Sequence, residues 1–324
     1  MTQSLPHEPP RSAEPKLRLG TRGSPLALWQ AHAVRDALLK AHGWEEGAVA
    51  VEVIRTTGDA ITDRALAQAG GKGLFTKELE EALLDGRIDL AVHSAKDMAT
   101  RLPDGLVLGG YLPRADVRDA LILPAGQVPH EGHPLASLKR GAKVGTASLR
   151  REAQLRRLRP DIEVALLRGN VQTRLNKVDA GEFDATLLAL AGLTRLGLQA
   201  RASAVLGTAD FLPAVGQGAV AIETRERDDE VAALLAPALC GRTGLAVTVE
   251  RAYLAELDGS CRTPIGGLAE VDGDELRFRG MVLKPDGSAY YEIVRQGSVA
   301  EAEALGHRWG REMKRMVPPG LFGG

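Results

Sequence analysis

Aromatic residues are scarce in this chain, at 4%, and cysteine is nearly absent, with only Cys240 and Cys261 in 324 residues. Two cysteines cannot build a disulfide framework, and a chain this long buries cores large enough to do without one. A reducing compartment, the cytoplasm, is the simplest setting. Net charge is equally thin: 41 basic and 42 acidic residues leave a formal charge of -1. Nothing global therefore draws the chain to nucleic acid or to an anionic membrane surface. No stretch approaches the roughly 20 apolar residues that span a bilayer. Residues 1–16 hold Pro6, Pro9, Pro10 and Pro15 and no apolar run, so they read as a disordered tail rather than a signal peptide or an anchor. A Walker loop and a dinucleotide fingerprint are both missing. His130 and His133 sit in a loop with Pro129 and Pro134, without identifiable further ligands, and no metal is expected.

What is present is ordinary globular material, 44% hydrophobic and 26% charged, long enough for two or three domains. Short apolar runs alternate with helical patterns, the rhythm of an α/β protein with mostly parallel strands. Strands are expected near 17–21, 49–55, 88–93, 143–145, 163–167, 186–189 and 219–223. Ser24-Pro25 reads as an N-cap and first helical residue, opening a helix that stops near Gly43, and a second helix is expected over about 74–84. Leu19-Gly20-Thr21 before one helix is echoed by Val144-Gly145-Thr146 before another. Asp85 to Asp89 is likewise echoed by Ala180 to Asp184. The offsets differ, which fits two similar doubly wound lobes facing each other across a cleft rather than a tandem repeat. After about Gly241 the pattern changes to a helix, three strand-like runs separated by turns and a final helix over about 299–316, a small α+β domain.

Charge is concentrated locally. Between residues 139 and 174 eight Arg and two Lys face three acids. Arg matches carboxylates and phosphates with a planar fork, so this surplus suits a polyanionic small molecule, although a solvated basic helix face has the same composition. Cys261 lies in a loop beside Arg262, where access and thiolate character favour covalent attachment; lone cysteines are more often buried small hydrophobes, as Cys240 is read here. Asp97 follows Lys96 at the end of an apolar strand, a position suited to protons or cationic intermediates, although Lys-Asp neighbours are also common on surfaces. His93 is read as a satisfied structural residue, and Gly70-Gly71-Lys72-Gly73 as a hinge or lid.

Seven segments occur in one order: Leu19 to Ala27, Gly70 to Phe75, His93 to Asp97, Gly145 to Arg151, Leu167 to Val171, Leu212 to Gly218 and Gly259 to Cys261. Together they resemble the porphobilinogen deaminase (hydroxymethylbilane synthase) family over roughly residues 17–317. The resemblance implies two lobes like those of periplasmic binding proteins plus a C-terminal α+β domain with a three-stranded antiparallel sheet. The expected boundaries are 17–113 with 218–238 for lobe one, 118–213 for lobe two and 241–324 for the last domain. It implies a cytoplasmic, monomeric transferase that condenses four porphobilinogen molecules head to tail, with loss of ammonia, into hydroxymethylbilane on a dipyrromethane cofactor. That cofactor would be held through a thioether to Cys261. Asp97 is implied as the catalytic carboxylate. Arg22, Lys96, Arg150, Arg151, Arg168, Arg174 and Arg195 are implied as carboxylate-binding residues, Ser24, Thr146, Ser148 and Gln217 as polar contacts, and Phe75 as a packing neighbour of the pyrroles. Neither nucleic acid nor membrane is implied as a partner.

Departures from the family pattern are Ala95 for a usual methionine, Met98-Ala99 for Val-Pro, Ala147 for serine and Gln68 for lysine. A two-lobed binding protein that clamps an anion without chemistry is the rival reading. The third domain with its loop cysteine, and the lack of an export signal, weigh against it.

Overall fold

A computed structural model of the chain describes residues 14–57, 76–257, 263–318 and 321. The tail 1–13, the glycine-rich segment with Gln68 and Phe75, and the segment 258–262 with Cys261 lie outside the described residues. The elements run β1 (Leu17–Thr21), α1 (Pro25–His42), β2 (Val49–Val53), α2 (Lys77–Leu84), β3 (Leu90–Ser94), β4 (Leu106–Tyr111) and β5 (Asp119–Ile122). They continue with β6 (Lys143–Gly145), α3 (Leu149–Leu158), β7 (Glu163–Ala165), α4 (Val171–Asp179), β8 (Ala185–Ala189), α5 (Leu190–Arg195) and β9 (Ala204–Val205). The last are β10 (Val220–Arg225), α6 (Asp229–Leu235), α7 (Gly241–Glu256), β11 (Ile265–Asp272), β12 (Glu275–Leu283), β13 (Tyr290–Ser298) and α8 (Ala302–Met316).

Two five-stranded sheets have the same topology, β2-β1-β3-β10-β4 and β7-β6-β8-β5-β9. In each, the first three strands are parallel and the fourth runs antiparallel to its neighbours. The fourth strand arrives from the other lobe, so the chain crosses between lobes twice, through residues 112–118 and 206–219. The sequence echo has a physical counterpart. Asp89 accepts the backbone N–H of Arg18 at 2.8 Å, and Asp184 accepts that of Lys143 at 2.8 Å, so in both lobes a carboxylate ahead of the third strand in the sheet order staples the start of the second. Gly145 is small because a Cβ there would come within 2.6 Å of Leu167 and 2.8 Å of Phe183. Capping follows the sequence closely: Ser24 accepts the N–H of Ala27, and Gly43 closes α1 in the left-handed conformation.

The C-terminal domain packs α7 and α8 on the antiparallel sheet β11-β12-β13 around Tyr253, Phe278 and Trp309. It also touches both lobes: Leu268, Met281 and Leu283 meet Ala153 and Leu212, while Val247 joins Ala95, Met98 and Tyr111. At their junction Glu250 on α7 is completely buried. It accepts from Arg114 of the first crossover at 2.6 and 3.0 Å, from Gly216 N–H of the second at 2.7 Å and from Ala269 N–H of β11 at 2.8 Å.

Breaking a buried, hydrogen-bonded ion pair leaves an uncompensated charge and costs about 3–5 kcal/mol. Glu250→Gln is therefore expected to lower the urea midpoint of the whole chain by a corresponding amount. An unchanged midpoint would show that the three bodies do not depend on this junction.

Candidate active site

On lobe one, β3 ends at Ser94, whose hydroxyl is tied to Gln30 of α1 at 2.9 Å. A single turn, Ala95–Asp97, follows. Ala95 is buried, and Lys96 and Asp97 are left exposed toward the opposite lobe. The second crossover presses on this turn at Gly216, which has φ +72° and leaves no room for a Cβ, since one would come 3.0 Å from the Ala95 carbonyl carbon. That close approach accounts for the glycine at position 216. Arg22 and Ser24 flank the same wall between β1 and α1, and both are half-buried.

On lobe two, the strand-to-helix turn from β6 into α3 delivers Arg150 and Arg151. Thr146 accepts the N–H of Ser148 at 3.1 Å, and Ser148 accepts that of Arg151 at 3.4 Å, so both hydroxyl groups serve the turn itself. Arg150 and Arg151 are each 5% exposed. They share one buried carboxylate, Asp119 at the start of β5, with ion pairs of 2.8 Å each. Arg151 spends its remaining reach on the Leu187 carbonyl at 2.8 Å, and Arg150 donates to that of Leu212 at 2.7 Å. Burial alone would push the Asp119 carboxyl up, but the two guanidinium groups outweigh it and hold the carboxyl far below the usual range. Gln217 completes this layer. Wholly buried, it donates to Val117 O at 2.7 Å and to Asp119 at 3.0 Å, which places it beneath the cleft floor, binding the two crossovers together.

Cations gather above that floor. The Lys96 ammonium can be reached by solvent, yet it is walled in between the lobes. Burial pushes it down to about 8, with Arg151 and Arg150 adding to the effect and Asp97 and Asp119 opposing it. Arg174 on α4 is pushed down to about 10 by burial and by Arg151 and Arg168, against the pull of Asp97. Asp97 and Lys96 of lobe one thus share a field with Arg150, Arg151, Arg168 and Arg174 of lobe two. Arg195 stands apart. It is pushed down to about 10 by burial alone, donates to Gly218 O at 2.6 Å and stacks over Trp29 at 5.4 Å. It helps line a hinge cavity of about 300 Å³ with Leu112, Pro113 and Val220.

Among the described residues four buried guanidinium nitrogens have no hydrogen-bond partner: Nε of Arg157, which lies over the Tyr290 ring of the C-terminal domain, Nε of Arg150, Nη1 of Arg168 and Nε of Arg195. Buried donors are almost always satisfied, so the unpaired ones of Arg150 and Arg168 beside the cationic cleft, and of Arg195 at the hinge cavity, are open to acceptors from a ligand. A molecule with several carboxylates fits this donor set. Asp119 and Glu250, which organise the site from below, carried no signal in the local sequence beyond being charges at the edges of apolar runs. Among the described residues no group of three or more potential metal ligands occurs. His93 is buried and paired with Glu223 at 3.0 Å. Cys240, half-buried, precedes α7, where burial pushes its thiol up, but hydrogen bonds from Thr243 and the first turn of that helix, with nearby Arg242, bring it below its usual value.

The fold and the site together define a two-lobed α/β protein whose interlobe cleft gathers cations from both walls. The dipyrromethane cofactor-binding domain of porphobilinogen deaminase matches over residues 17–233, and the C-terminal domain of the same enzyme over residues 244–315. The porphobilinogen deaminases of Nitrobacter winogradskyi and Nitrobacter hamburgensis are each 56% identical to the chain over 304 residues, covering 94% of it and 94% of the relative. The chain belongs to the porphobilinogen deaminase family, transferases of porphyrin biosynthesis. Solved structures similar to it include the alkanesulfonate-binding protein SsuA of Xanthomonas axonopodis pv. citri, at 18% identity, 76% coverage of both chains and a TM-score of 0.36. That likeness is too distant to bear on activity.

Asp119→Asn keeps the shape and removes the charge, leaving two buried guanidinium groups uncompensated, and is expected to cost about 3–5 kcal/mol at neutral pH. Because the folded-state carboxyl lies below its ordinary value of 3.8, its contribution is present above about pH 4 and lost as pH falls further. The stability gap between wild type and variant should stay constant from about pH 5 to 8 and narrow below about 4. A gap that closes near neutrality would contradict this assignment.

Proposed function

We propose that the chain condenses four porphobilinogen molecules head to tail into hydroxymethylbilane, working as a cytoplasmic monomer, with its dipyrromethane cofactor held through a thioether to Cys261. The observation that carries the reading is the convergence of one carboxylate, Asp97, with Lys96, Arg150, Arg151, Arg168 and Arg174 across the cleft. Every porphobilinogen brings an acetate and a propionate, and the unpaired guanidinium donors suit such carboxylates. The proposed division is lobe one (17–113 with 218–238), lobe two (118–213) and a carrier domain (241–324).

When bound, the dipyrromethane supplies a terminal pyrrole with a free, electron-rich carbon on which the chain grows. The protein's own part is electrostatic and positional. Arg150, Arg168, Arg174 and Lys96 bind carboxylates; Arg151 and Asp119 hold that wall rigid. Arg22 and Ser24, on the opposite wall, meet incoming substrate, and Arg195 holds a carboxylate at the hinge. Departure of ammonia from the aminomethyl carbon of porphobilinogen leaves a positive charge spread onto the substrate's ring nitrogen. The Asp97 carboxylate stabilises that charge as it forms, because a fixed anion in a walled cleft needs no reorganisation. A carbon–carbon bond then forms, and the proton displaced from the attacked ring carbon leaves with help from the same carboxylate. One residue therefore serves every round.

Asp97→Asn, loaded with cofactor beforehand, is expected to lose several decades of single-turnover elongation while unfolding like wild type, and Asp97→Glu to keep a small residue of activity. Near-normal elongation by Asp97→Asn would return Asp97 to a structural role. Lys96 gives a pH test. Burial pushes its ammonium down to about 8, so carboxylate binding must take up a proton above that value, and loading of the apoprotein should weaken as pH rises through about 8. Lys96→Met should load less well at pH 7 and lack this alkaline limb. An identical limb in the variant would assign it to another group.

A further inference from the structure

Helix α7 grips the backbone leaving Asp97 at two successive points. Arg251 donates from Nη2 to the carbonyl of Ala99 at 2.7 Å and to that of Thr100 at 3.3 Å. One turn earlier on the same face, Val247 is fully buried in the cluster that contains Ala95, Met98 and Tyr111. Locally the turn is closed only as far as Met98, whose N–H donates to the Ala95 carbonyl at 3.3 Å, and Ala99 has no ring to set its φ. The helix itself cannot slide, because the neighbouring Glu250 is bonded to both crossovers and to β11. Arg251 also faces the interior. Burial pulls its guanidinium down, and Tyr111 on β4 and Glu223 on β10 pull it up. Glu223 in turn is paired with His93, four residues before Asp97 on the strand that leads into the turn.

We propose that Arg251 is a positioning residue, holding the turn that bears Asp97 in register with the helix that runs on toward Cys261. The inference rests on the roles given above to Asp97 and Cys261. In sequence, Cys261 follows Arg251 by ten positions and the last residue of α7, Glu256, by five. The loop that bears the carboxylate is thus referred to one rigid element, whose chain continues in sequence to Cys261, and Arg251 is the polar link between that element and the Asp97 loop. Arg251 touches no reacting atom; its effect runs through the placement of Asp97.

The experiment compares steady-state turnover and KM for porphobilinogen in wild type, Arg251→Met and Arg251→Lys, all loaded with cofactor, with Asp97→Glu and the double variant Asp97→Glu/Arg251→Met beside them. Arg251→Met is expected to keep the cofactor, an unfolding midpoint near that of wild type and its KM, and to lose about ten- to a hundredfold in turnover, the scale of a lost charge-assisted contact. Arg251→Lys, which can still donate to one carbonyl, should recover part of this. Adding Arg251→Met to Asp97→Glu, whose carboxylate is already displaced, should cost little more, since the same register is lost only once. Normal turnover of Arg251→Met, or a loss that multiplies in full on Asp97→Glu, would overturn the proposal. If Arg251→Met does not fold, Arg251→Lys decides, full turnover overturning the proposal and a loss of turnover at constant KM supporting it. A wild-type chain that carries no cofactor and makes no product would overturn the underlying reading, and is told apart because the unmodified protein then fails first.

Discussion

One buried carboxylate makes this cleft possible. Arg150 and Arg151 enter the interior of lobe two together, and two adjacent guanidinium groups cannot be buried without a counter-charge. Asp119 supplies one, bonded to both. The compensation is incomplete by one charge, and that shortfall is the functional point: the floor folds, while the surface above it, with Lys96, Arg168 and Arg174, stays short of anions. A chain whose net charge is only -1 thereby carries a strongly cationic cavity without an overall basic charge.

The same economy governs how the three bodies meet. Glu250 binds both crossovers and the C-terminal sheet, and Gln217 binds one crossover to the other and to Asp119. The hinge between the lobes is therefore also the anchor of the helix that leads toward Cys261. Charges that set the position of the site lie beneath it and make no contact with a ligand from there. Substitutions at Glu250 or Gln217 act on the cleft through the backbone that they hold.

Much of the fold was legible because its signals are local. Ser24-Pro25 and Gly43 delimit α1, the turns at Asp272-Gly273 and Asp286-Gly287 delimit the C-terminal strands, and the two Gly-Thr and Gly-x-x-Asp echoes mark lobes with the same strand order. The strands β4, β5 and β9 were not foreseen. They are the antiparallel members next to the crossovers, outside the strand–helix rhythm, and β4 contains Gly109 and Gly110, poor strand formers. Missing β5 meant missing Asp119, whose partner Arg151 is 32 positions away; Glu250 and Arg114 are 136 apart. The sequence pointed to Arg150, Arg151 and Gln217 by type but not by direction. Arg151 and Gln217 turn inward because the lobe needs their donors, and no local pattern distinguishes a donor spent on the fold from one left for a ligand.

The central claim is that this cleft holds a covalently attached pair of pyrroles and uses it. Intact-mass measurement of the full chain, purified from cells that make porphobilinogen, tests it most directly, with Cys261→Ala as the control. The account predicts a wild-type mass increased by two pyrrole units, with the increment retained after denaturation and absent from Cys261→Ala. An unmodified wild-type chain, or the same increment in Cys261→Ala, would contradict it, the first leaving a two-lobed anion binder and the second moving the attachment to another residue.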